Sequence, residues 1–394
     1  TALINLLTNL FVGLSIGSNV LSARFYGAKQ EKDLKETVHT SMMLSIYSGI
    51  LLTVIGIVAA RQILTWMQAP EEVIGLAVVY LRIYFLGMPA LAIYNFGNAV
   101  FSAVGNTKKP LYYLATAGVI NIILNLFFVI VCKLDVAGVA LASIISQYTS
   151  AILILRALFM TKEIYGLKLS MFKPNSQKAG MILGIGVPSA IQYGIFQVAN
   201  LFIQFGVNSF DATMVAGNSA AANADGLVYD VMAAFYTACS SFIGQNYGAG
   251  KWDRVYKSIR VNIGISYVFT GAIIFTLYAF CEPMYHMFTT DPKVIDIGVY
   301  MLRFLVPSYL LSILLENLDG GLRGVGDVLW PTIFTFGGLF LIRLPWVMIL
   351  TPIYHKVEIL LISYPIAWGG TLLFVIPYYF WKKKKCLNKI CSEK

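Results

Sequence analysis

The chain has 394 residues, enough for two ordinary domains, and a formal net charge of +10. Only 12% of its residues are charged and 58% are hydrophobic, whereas soluble domains are roughly a quarter charged. Because this number of charges is too small to cover a water-exposed surface, the composition excludes a soluble protein. The apolar residues form long runs separated by short basic stretches, which is typical of a polytopic helical membrane protein.

Eleven apolar runs are long enough to cross a bilayer, which needs roughly 20 residues per helix. In chain order they cover residues 1–25, 37–60, 73–101, 111–132, 136–159, 179–208, 214–243, 258–281, 294–322, 331–351 and 357–381. The longest polar interruption, 160–178, predicts a linker between an N-lobe at 1–159 and a C-lobe at 179–381. A basic tail, 382–394, follows the last run.

Lysine and arginine are distributed unevenly between the two sides of these runs. Of the 29 basic residues, 22 fall on one side, which includes the loop at 24–36, and four fall on the other. The positive-inside rule places the richer side in the cytoplasm. We therefore expect a multi-pass protein of the plasma (inner) membrane with a cytoplasmic C-terminus, whose partner is the lipid bilayer and not nucleic acid.

One sequence pattern occurs twice, 221 residues apart. "RFYGAKQEKDLKE" recurs as "QNYGAGKWDRVYK", and the same shift, without a gap, still matches Val136 to Val357. Such a long match indicates an internal duplication. Runs one to five pair with runs seven to eleven, which predicts two six-helix bundles related by a pseudo-two-fold axis along the membrane normal. The sixth run, 179–208, has no partner, so the first bundle has five helices here and we expect another helix before residue 1.

A membrane-embedded enzyme is the main rival class. The chain lacks a DDxxD-type acidic cluster for Mg²⁺, its three histidines are dispersed, and its five cysteines show no metal-ligand spacing. We therefore expect neither a metal nor another cofactor. "GLRGVGD" lacks the Lys-Ser/Thr of a phosphate-binding loop. We interpret Gly105 and Gly326 as helix terminators, with Pro110 and Pro331 starting the next helices.

Polar side chains within the predicted spans are the candidates for function, because they are costly in a membrane. The sixth run carries a polar stripe at helical spacing, formed by Tyr193, Gln197, Asn200, Gln204 and Asn208. Asn5 with Asn9, and Asn121 with Asn125, are spaced i, i+4 in the first and fourth runs. Interhelical hydrogen bonding explains a single amide about equally well. A stripe of five favours a water-filled cavity.

Charged side chains single out the ninth run. Glu316, Asp319 and Arg323 lie on one helical face at i, i+3 and i+7. We expect Arg323 to be solvated at the cytoplasmic end, and Glu316 to lie deeper, where a carboxylate must pair or take up a proton. Arg343 in the tenth run is the candidate partner for Glu316. Asp225 in the seventh run is the second candidate acid.

Four motifs carry a resemblance to a known family: "NLFVGLSIGSNVLSARFYGA", "GVPSAIQ", "LENLDGGLRGVGD" and "RLPW". Over essentially its whole length the chain resembles the multidrug and toxic compound extrusion (MATE) family. The resemblance implies two six-helix lobes, export of cationic amphipathic compounds in exchange for H⁺ or Na⁺, and a functional acid at Glu316. Some members use an acid in the seventh family helix or an aspartate in the first. Here "YGIFQVANLFIQ" contains no acid and the first-helix aspartate is missing, so the coupling ion stays open.

The sequence thus predicts an antiporter that works by alternating access between two lobes, acting as a monomer. The predicted substrate cavity comprises Tyr193, Phe196, Gln197, Asn200, Gln204, Asn5, Asn9, Asn121, Asn125 and Arg343. Glu316, with Asp319 and Asp225 as further acids, is predicted to bind the coupling ion or the positive charge of the substrate. A flippase for lipid-linked oligosaccharides is the alternative, but it would need a basic cavity. A membrane-embedded enzyme is the less favoured alternative.

Overall fold

The computed structural model describes residues 2–66, 71–287 and 289–392. Within these ranges the chain is helical, with short turns and no strand. Packing divides it into two units: an N-unit of residues 7–187, and a C-unit formed by residues up to 6 and from 188 onwards. The boundary falls inside one long helix. The lobe bounds expected from the sequence remain a prediction.

The helices follow one another with few residues between them. They are α1 (Ala2–Gly27), α2 (Glu31–Trp66), α3 (Glu71–Phe85), α4 (Met88–Ala103), α5 (Lys108–Leu126), α6 (Asp135–Met160), α7 (Ser176–Asn208), α8 (Ala212–Gly248), α9 (Trp252–Ala279), α10 (Cys281–His286), α11 (Pro292–Leu305), α12 (Tyr309–Gly324), α13 (Leu329–Phe336), α14 (Thr351–Tyr354) and α15 (Val357–Ser392). Wider π-helical turns extend α5 over Phe127–Val131, and continue α13 towards α14 over Gly337–Arg343 and Trp346–Leu350. Short 3₁₀ turns occupy Leu169–Met171 and Val306–Ser308.

Ten helical stretches of the described chain are long and apolar enough to cross a membrane, and a bent pair makes the eleventh. The bent pair is α3 with α4, which meet at 45° where the third run was predicted at 73–101. A proline stands near the start of α4, at a position where a helix tolerates its missing N–H. The predicted all-α polytopic membrane fold is therefore confirmed.

Matching turns close the paired helices of the sequence repeat. The backbone is left-handed at Lys29 (φ 57°) after α1 and at Gly250 (φ 68°) after α8. It is left-handed again at Gly105 (φ 84°) and Gly326 (φ 86°), after α4 and α12. In each turn the residue beyond donates its amide back to the helix at 2.8–3.0 Å, as in a Schellman cap. The prediction that Gly105 and Gly326 terminate helices is confirmed.

Within the C-unit, α12 is the helix that positions the predicted acids. It packs against α8, α9 and α15. Glycines allow the close approach to α8, since a Cβ at Gly320 would lie 2.9 Å from the Tyr236 carbonyl oxygen. A Cβ at Gly324 would lie 2.7 Å from Ile243. The last turns of α12 are consequently enclosed by neighbouring helices.

Candidate functional site

A buried ion pair joins two of the charged residues of α12. Arg323 Nε lies 3.3 Å from Asp319 Oδ2, with the side chains 1% and 5% exposed. Gln192 of α7 donates its amide to Asp319 at 3.0 Å. Arg323 also donates hydrogen bonds to Ser189 and Gln192 of α7, and to Thr332 of α13 at 3.5 Å. The pair is internally neutral and links α12 to two other helices, α7 and α13.

The expectation that Arg323 is solvated is wrong. Its side chain is almost fully buried, although α12 ends one residue later at Gly324. Distance along one helix measures depth only if the helix end reaches the surface. Here α7, α8 and α13 cover that end, so the guanidinium is paired inside the C-unit.

Glu316 has a different environment from Asp319. It is partly buried and lines a cavity next to Asp319 and Gln192. Within the described chain, no hydrogen bond or ion pair is found for its carboxylate. The ionised cluster of Glu316, Asp319 and Arg323 therefore has one net negative charge, located on the carboxylate that faces the cavity.

Aromatic rings form much of the remaining cavity wall. The aromatic lining residues are Tyr193, Phe196, Tyr229, Tyr236 and Trp368. Phe196 stacks on Tyr229 with ring centroids 5.4 Å apart. Hydroxyl groups of Thr335 and Thr371 add neutral polar atoms. A negative charge within an aromatic wall is an environment that favours an organic cation.

The cavity in this conformation is small. Its volume is about 40 Å³, and a buried water needs roughly 10–15 Å³ measured in this way. It can hold a few water molecules or one inorganic cation. Drug-sized ligands occupy roughly 300–1,000 Å³, so a substrate of that size requires the cavity to open.

The predicted polar stripe of α7 is only partly drawn into this cavity. Tyr193 lines it, whereas Gln197 and Asn200 are half-buried further along α7. Gln204 is exposed and donates to Asn208 at 2.8 Å, within the same helix. Of the five residues of the stripe, only Tyr193 therefore lines the cavity.

The four asparagines predicted for the cavity do not line it. Asn5 is exposed and Asn9 is half-buried on α1. Asn121 and Asn125 belong to the N-unit, where Asn125 donates to Asn121 at 3.0 Å. Asn121 donates to Ser146 of α6 at 3.4 Å. For this last pair the geometry is that of hydrogen bonding between helices.

Arg343 and Asp225 form a second charged group in the C-unit. The Arg343 guanidinium lies 3.6 Å from the centre of the Tyr364 ring and is 2% exposed. Asp225 and Tyr309 are near enough to interact with it electrostatically. The proposed pairing of Arg343 with Glu316 is wrong, since no ion pair within 4.0 Å joins these two described residues. Arg343 is held against α8, α12 and α15 instead.

Sequence reasoning missed the α7 residues that organise the site. Ser189 and Gln192 lie in "GVPSAIQ", which had been noted as a motif without a role for its polar members. Gln192 contacts both Asp319 and Arg323. Its i, i+3 spacing from Ser189 was the available signal, because both side chains fall on the helix face that meets α12.

Across residues 2–66, 71–287 and 289–392 no group of three or more His, Cys, Asp or Glu side chains is placed to hold a metal ion. Cys132, Cys239 and Cys281 are free thiols. The side chains of the other two cysteines lie outside the described part of the chain.

The family of the chain follows from its match to a family model. Residues 1–127 and 188–349 match the model described as MatE. The chain belongs to the MatE family. The second matching segment contains most residues of the site, since it includes α7 from Pro188 onwards and all of α12.

Relatives of this MatE protein are named for multidrug resistance. The probable multidrug resistance protein YoeA of Bacillus subtilis (strain 168) is 29% identical over 398 residues, covering 98% of this chain and 85% of YoeA. The probable multidrug resistance protein NorM of Thermotoga maritima is 24% identical over 343 residues, covering 85% of this chain and 73% of NorM. The interpretation as a transporter and not an enzyme is confirmed.

Solved structures share the fold. A multidrug resistance MATE family transporter of the MOP superfamily, in an outward-facing conformation, superposes with a TM-score of 0.87 at 21% identity. The match covers 97% of this chain and 85% of that one. A MOP superfamily transporter from Pyrococcus furiosus gives a TM-score of 0.88 at 20% identity, with the same coverages of 97% and 85%. At this identity the likeness establishes the fold alone.

Proposed function

We propose that this MatE protein exports small cationic amphipathic compounds in exchange for an inorganic cation, H⁺ or Na⁺. The names of its relatives YoeA and NorM, which refer to multidrug resistance, support export of this kind. The observation that carries the proposal is the Glu316 carboxylate, which lines an aromatic cavity and forms no hydrogen bond or ion pair within the described chain.

Glu316 binds one positive charge at a time in this account. Asp319 is already neutralised by Arg323 at 3.3 Å, which leaves one net negative charge for a ligand. An inorganic cation and the charged group of a substrate therefore compete for the same carboxylate. Competition of this kind is an unfavourable coupling between the two ligands, and it weakens the binding of each by the same factor.

The aromatic wall gives the substrate its second point of contact. An organic cation stacks on Tyr193, Phe196 or Tyr229 while its charge approaches Glu316. A bare or hydrated inorganic cation gains little from these rings. The cavity of about 40 Å³ matches the cation-bound or empty state, and binding of the larger substrate requires a wider state.

Exchange requires that the cation-bound and the substrate-bound state of the cavity are coupled to the side of the membrane to which the cavity opens. We propose that the two lobes, residues 1–159 and 179–381, alternate between openings to the two sides of the membrane. The inorganic cation enters from outside, occupies Glu316 and drives the substrate out. The substrate then enters from the cytoplasm and displaces the cation. A lipid-linked oligosaccharide flippase would need a basic cavity, whereas the net charge at Glu316 is negative.

Efflux of a cationic dye from everted membrane vesicles tests this function. The full-length protein is compared with its Glu316→Gln variant and with Glu163→Gln, a control in an exposed loop. We expect gradient-driven dye accumulation by the wild type and the control, and loss of most of it in Glu316→Gln at equal protein level in the membrane. Dye accumulation by Glu316→Gln at the wild-type rate would exclude Glu316 as the coupling group.

A further inference from the structure

An open groove lies between α5 and α6 in the N-unit. It has a volume of about 270 Å³, and its lining includes Lys109, Tyr113, Leu153, Arg156 and Ala157. The first two residues are one turn apart on α5, and the other three share one face of α6. The groove lies at the start of α5 and the end of α6, on the side assigned to the cytoplasm by the basic residues.

The two cations of the groove are not neutralised by the protein. Within the described chain, no ion pair within 4.0 Å involves Lys109 or Arg156. Lys109 Nζ lies 5.9 Å from the centre of the Phe101 ring. Arg156 Nε points at the Met160 sulfur at 3.3 Å, and a thioether is a weak acceptor. Two positive charges are available for an anion from outside the chain.

The rim of the groove is apolar and exposed. Met160, which lines the groove, and Ile152, one turn before Arg156 on α6, have exposed side chains. In the most apolar window of the span formed by α5 and its extension, only 6% of residues are buried. Such a helix surface faces lipid in a membrane protein. The groove therefore combines a cationic end with an apolar flank that contacts acyl chains.

In the second copy of the sequence repeat, aromatic side chains fill the position equivalent to the groove. Shifting the five groove residues named above by 221 gives Trp330, Phe334, Phe374, Pro377 and Tyr378. The Phe334 ring lies 5.9 Å from Trp330, 6.1 Å from Phe374 and 5.5 Å from Tyr378 between centroids. The same helix pair is thus closed by aromatic packing in one copy, and left open with two cations in the other.

We propose that the α5–α6 groove binds the anionic headgroup of a membrane phospholipid. Lys109 and Arg156 contact the phosphate, and the Tyr113 hydroxyl donates a further hydrogen bond. One acyl chain lies along the exposed apolar face of α5. Basic pockets between transmembrane helices on the cytoplasmic side are suited to anionic headgroups. The apolar flank selects a lipid over a soluble phosphate.

Native mass spectrometry of the detergent-purified protein tests this site. The wild type is titrated with phosphatidylglycerol, and separately with phosphatidylcholine of the same chain length. We expect tighter binding of phosphatidylglycerol, and roughly 25-fold weaker binding in Lys109→Gln/Arg156→Gln, since each basic residue contributes about five-fold near an anionic lipid. The control Lys32→Gln/Lys162→Gln removes the same charge from exposed positions on the same side and should bind as the wild type does.

A second variant tests the groove without changing its charge. Leu153→Phe/Ala157→Tyr copies the residues of the second repeat copy, and we expect it to block phosphatidylglycerol binding while both cations remain. Three results would overturn the proposal: equal phosphatidylglycerol affinity in all variants, equal affinity for phosphatidylcholine, or displacement of the lipid by millimolar glycerol phosphate. The last result would identify a soluble phosphate as the ligand.

Discussion

Asp319 holds Arg323 in a buried ion pair at 3.3 Å, and Glu316, one turn earlier on the same face of α12, forms no ion pair within 4.0 Å in the described chain. These two carboxylates are one helical turn apart on α12, yet they have different roles. The paired one stabilises the packing of α7, α12 and α13. The unpaired one is free to bind a ligand.

The first prediction separates these roles by stability. Asp319→Asn leaves the Arg323 guanidinium buried without a counter-charge, and we expect it to lower the free energy of unfolding by about 3 kcal/mol. Glu316→Gln removes no ion pair, so its unfolding should stay close to that of the wild type. Thermal unfolding of the purified proteins in one detergent measures both.

A double variant serves as the control for this comparison. Asp319→Leu/Arg323→Met replaces the pair with apolar groups and should recover much of the stability lost in Asp319→Asn, because no buried charge is left alone. If Glu316→Gln proved the more destabilising single change, the assignment of the two carboxylates would have to be reversed.

A second prediction concerns helix packing in the N-unit. A Cβ at Gly17 of α1 would clash with the Ile182 carbonyl of α7, whereas a Cβ at Gly118 of α5 would meet nothing within 4 Å. We expect Gly17→Ala to lower the yield of folded protein and its melting temperature. Gly118→Ala should leave both unchanged or slightly raised, since alanine favours a helix over glycine. Size-exclusion profiles and melting curves measure the difference, and equal behaviour would argue against the α1–α7 contact.

A third prediction uses the repeated left-handed turns. Gly250→Ala places a Cβ at φ 68° and should destabilise the protein by about 1 kcal/mol. Lys29 already occupies the equivalent position with φ 57°. Lys29→Gly should therefore raise the melting temperature, by less because glycine also gains freedom in the unfolded chain. A loss of stability in Lys29→Gly would show that the lysine side chain contributes more than its backbone strain removes.

A fourth prediction distinguishes Asp225 from Glu316. Asp225 is near Arg343, which stacks on Tyr364 at 3.6 Å. We expect Asp225→Asn to reduce stability, because Arg343 then loses a nearby counter-charge, and to keep the competition between an inorganic cation and a cationic dye. Fluorescence polarisation measures dye binding with and without the competing cation and so tests whether the competition is kept. Loss of competition in a folded Asp225→Asn protein would move the coupling site to Asp225.

The membrane fold was predictable because its signals are repeated many times along the chain. Each apolar run, each basic loop and both copies of the repeat agree on the same helices. The turns at Gly105 and Gly326 were predictable for a local reason, since only a few residue types tolerate a left-handed cap. The bend between α3 and α4 interrupts one run and was not visible in its hydropathy.

The site was only partly predictable because it depends on contacts between distant helices. Periodicity placed Glu316 and Tyr193 correctly on faces that meet in the cavity. It gave no means of telling whether Arg323 would meet water or Gln192, which is 131 positions away in sequence. Depth along a helix likewise suggested Arg343 as a partner for Glu316, whereas the rotation of that helix directs it to Tyr364.

Displacement of a bound cationic dye is the measurement that tests the central claim most directly. The purified full-length protein is saturated with the dye, and Na⁺ or H⁺ is then titrated while dye fluorescence is followed. We predict that one of these cations displaces the dye from the wild type, and that Glu316→Gln binds the dye more weakly and shows no dependence on that cation. Displacement from Glu316→Gln at the same cation concentration as from the wild type would contradict the account.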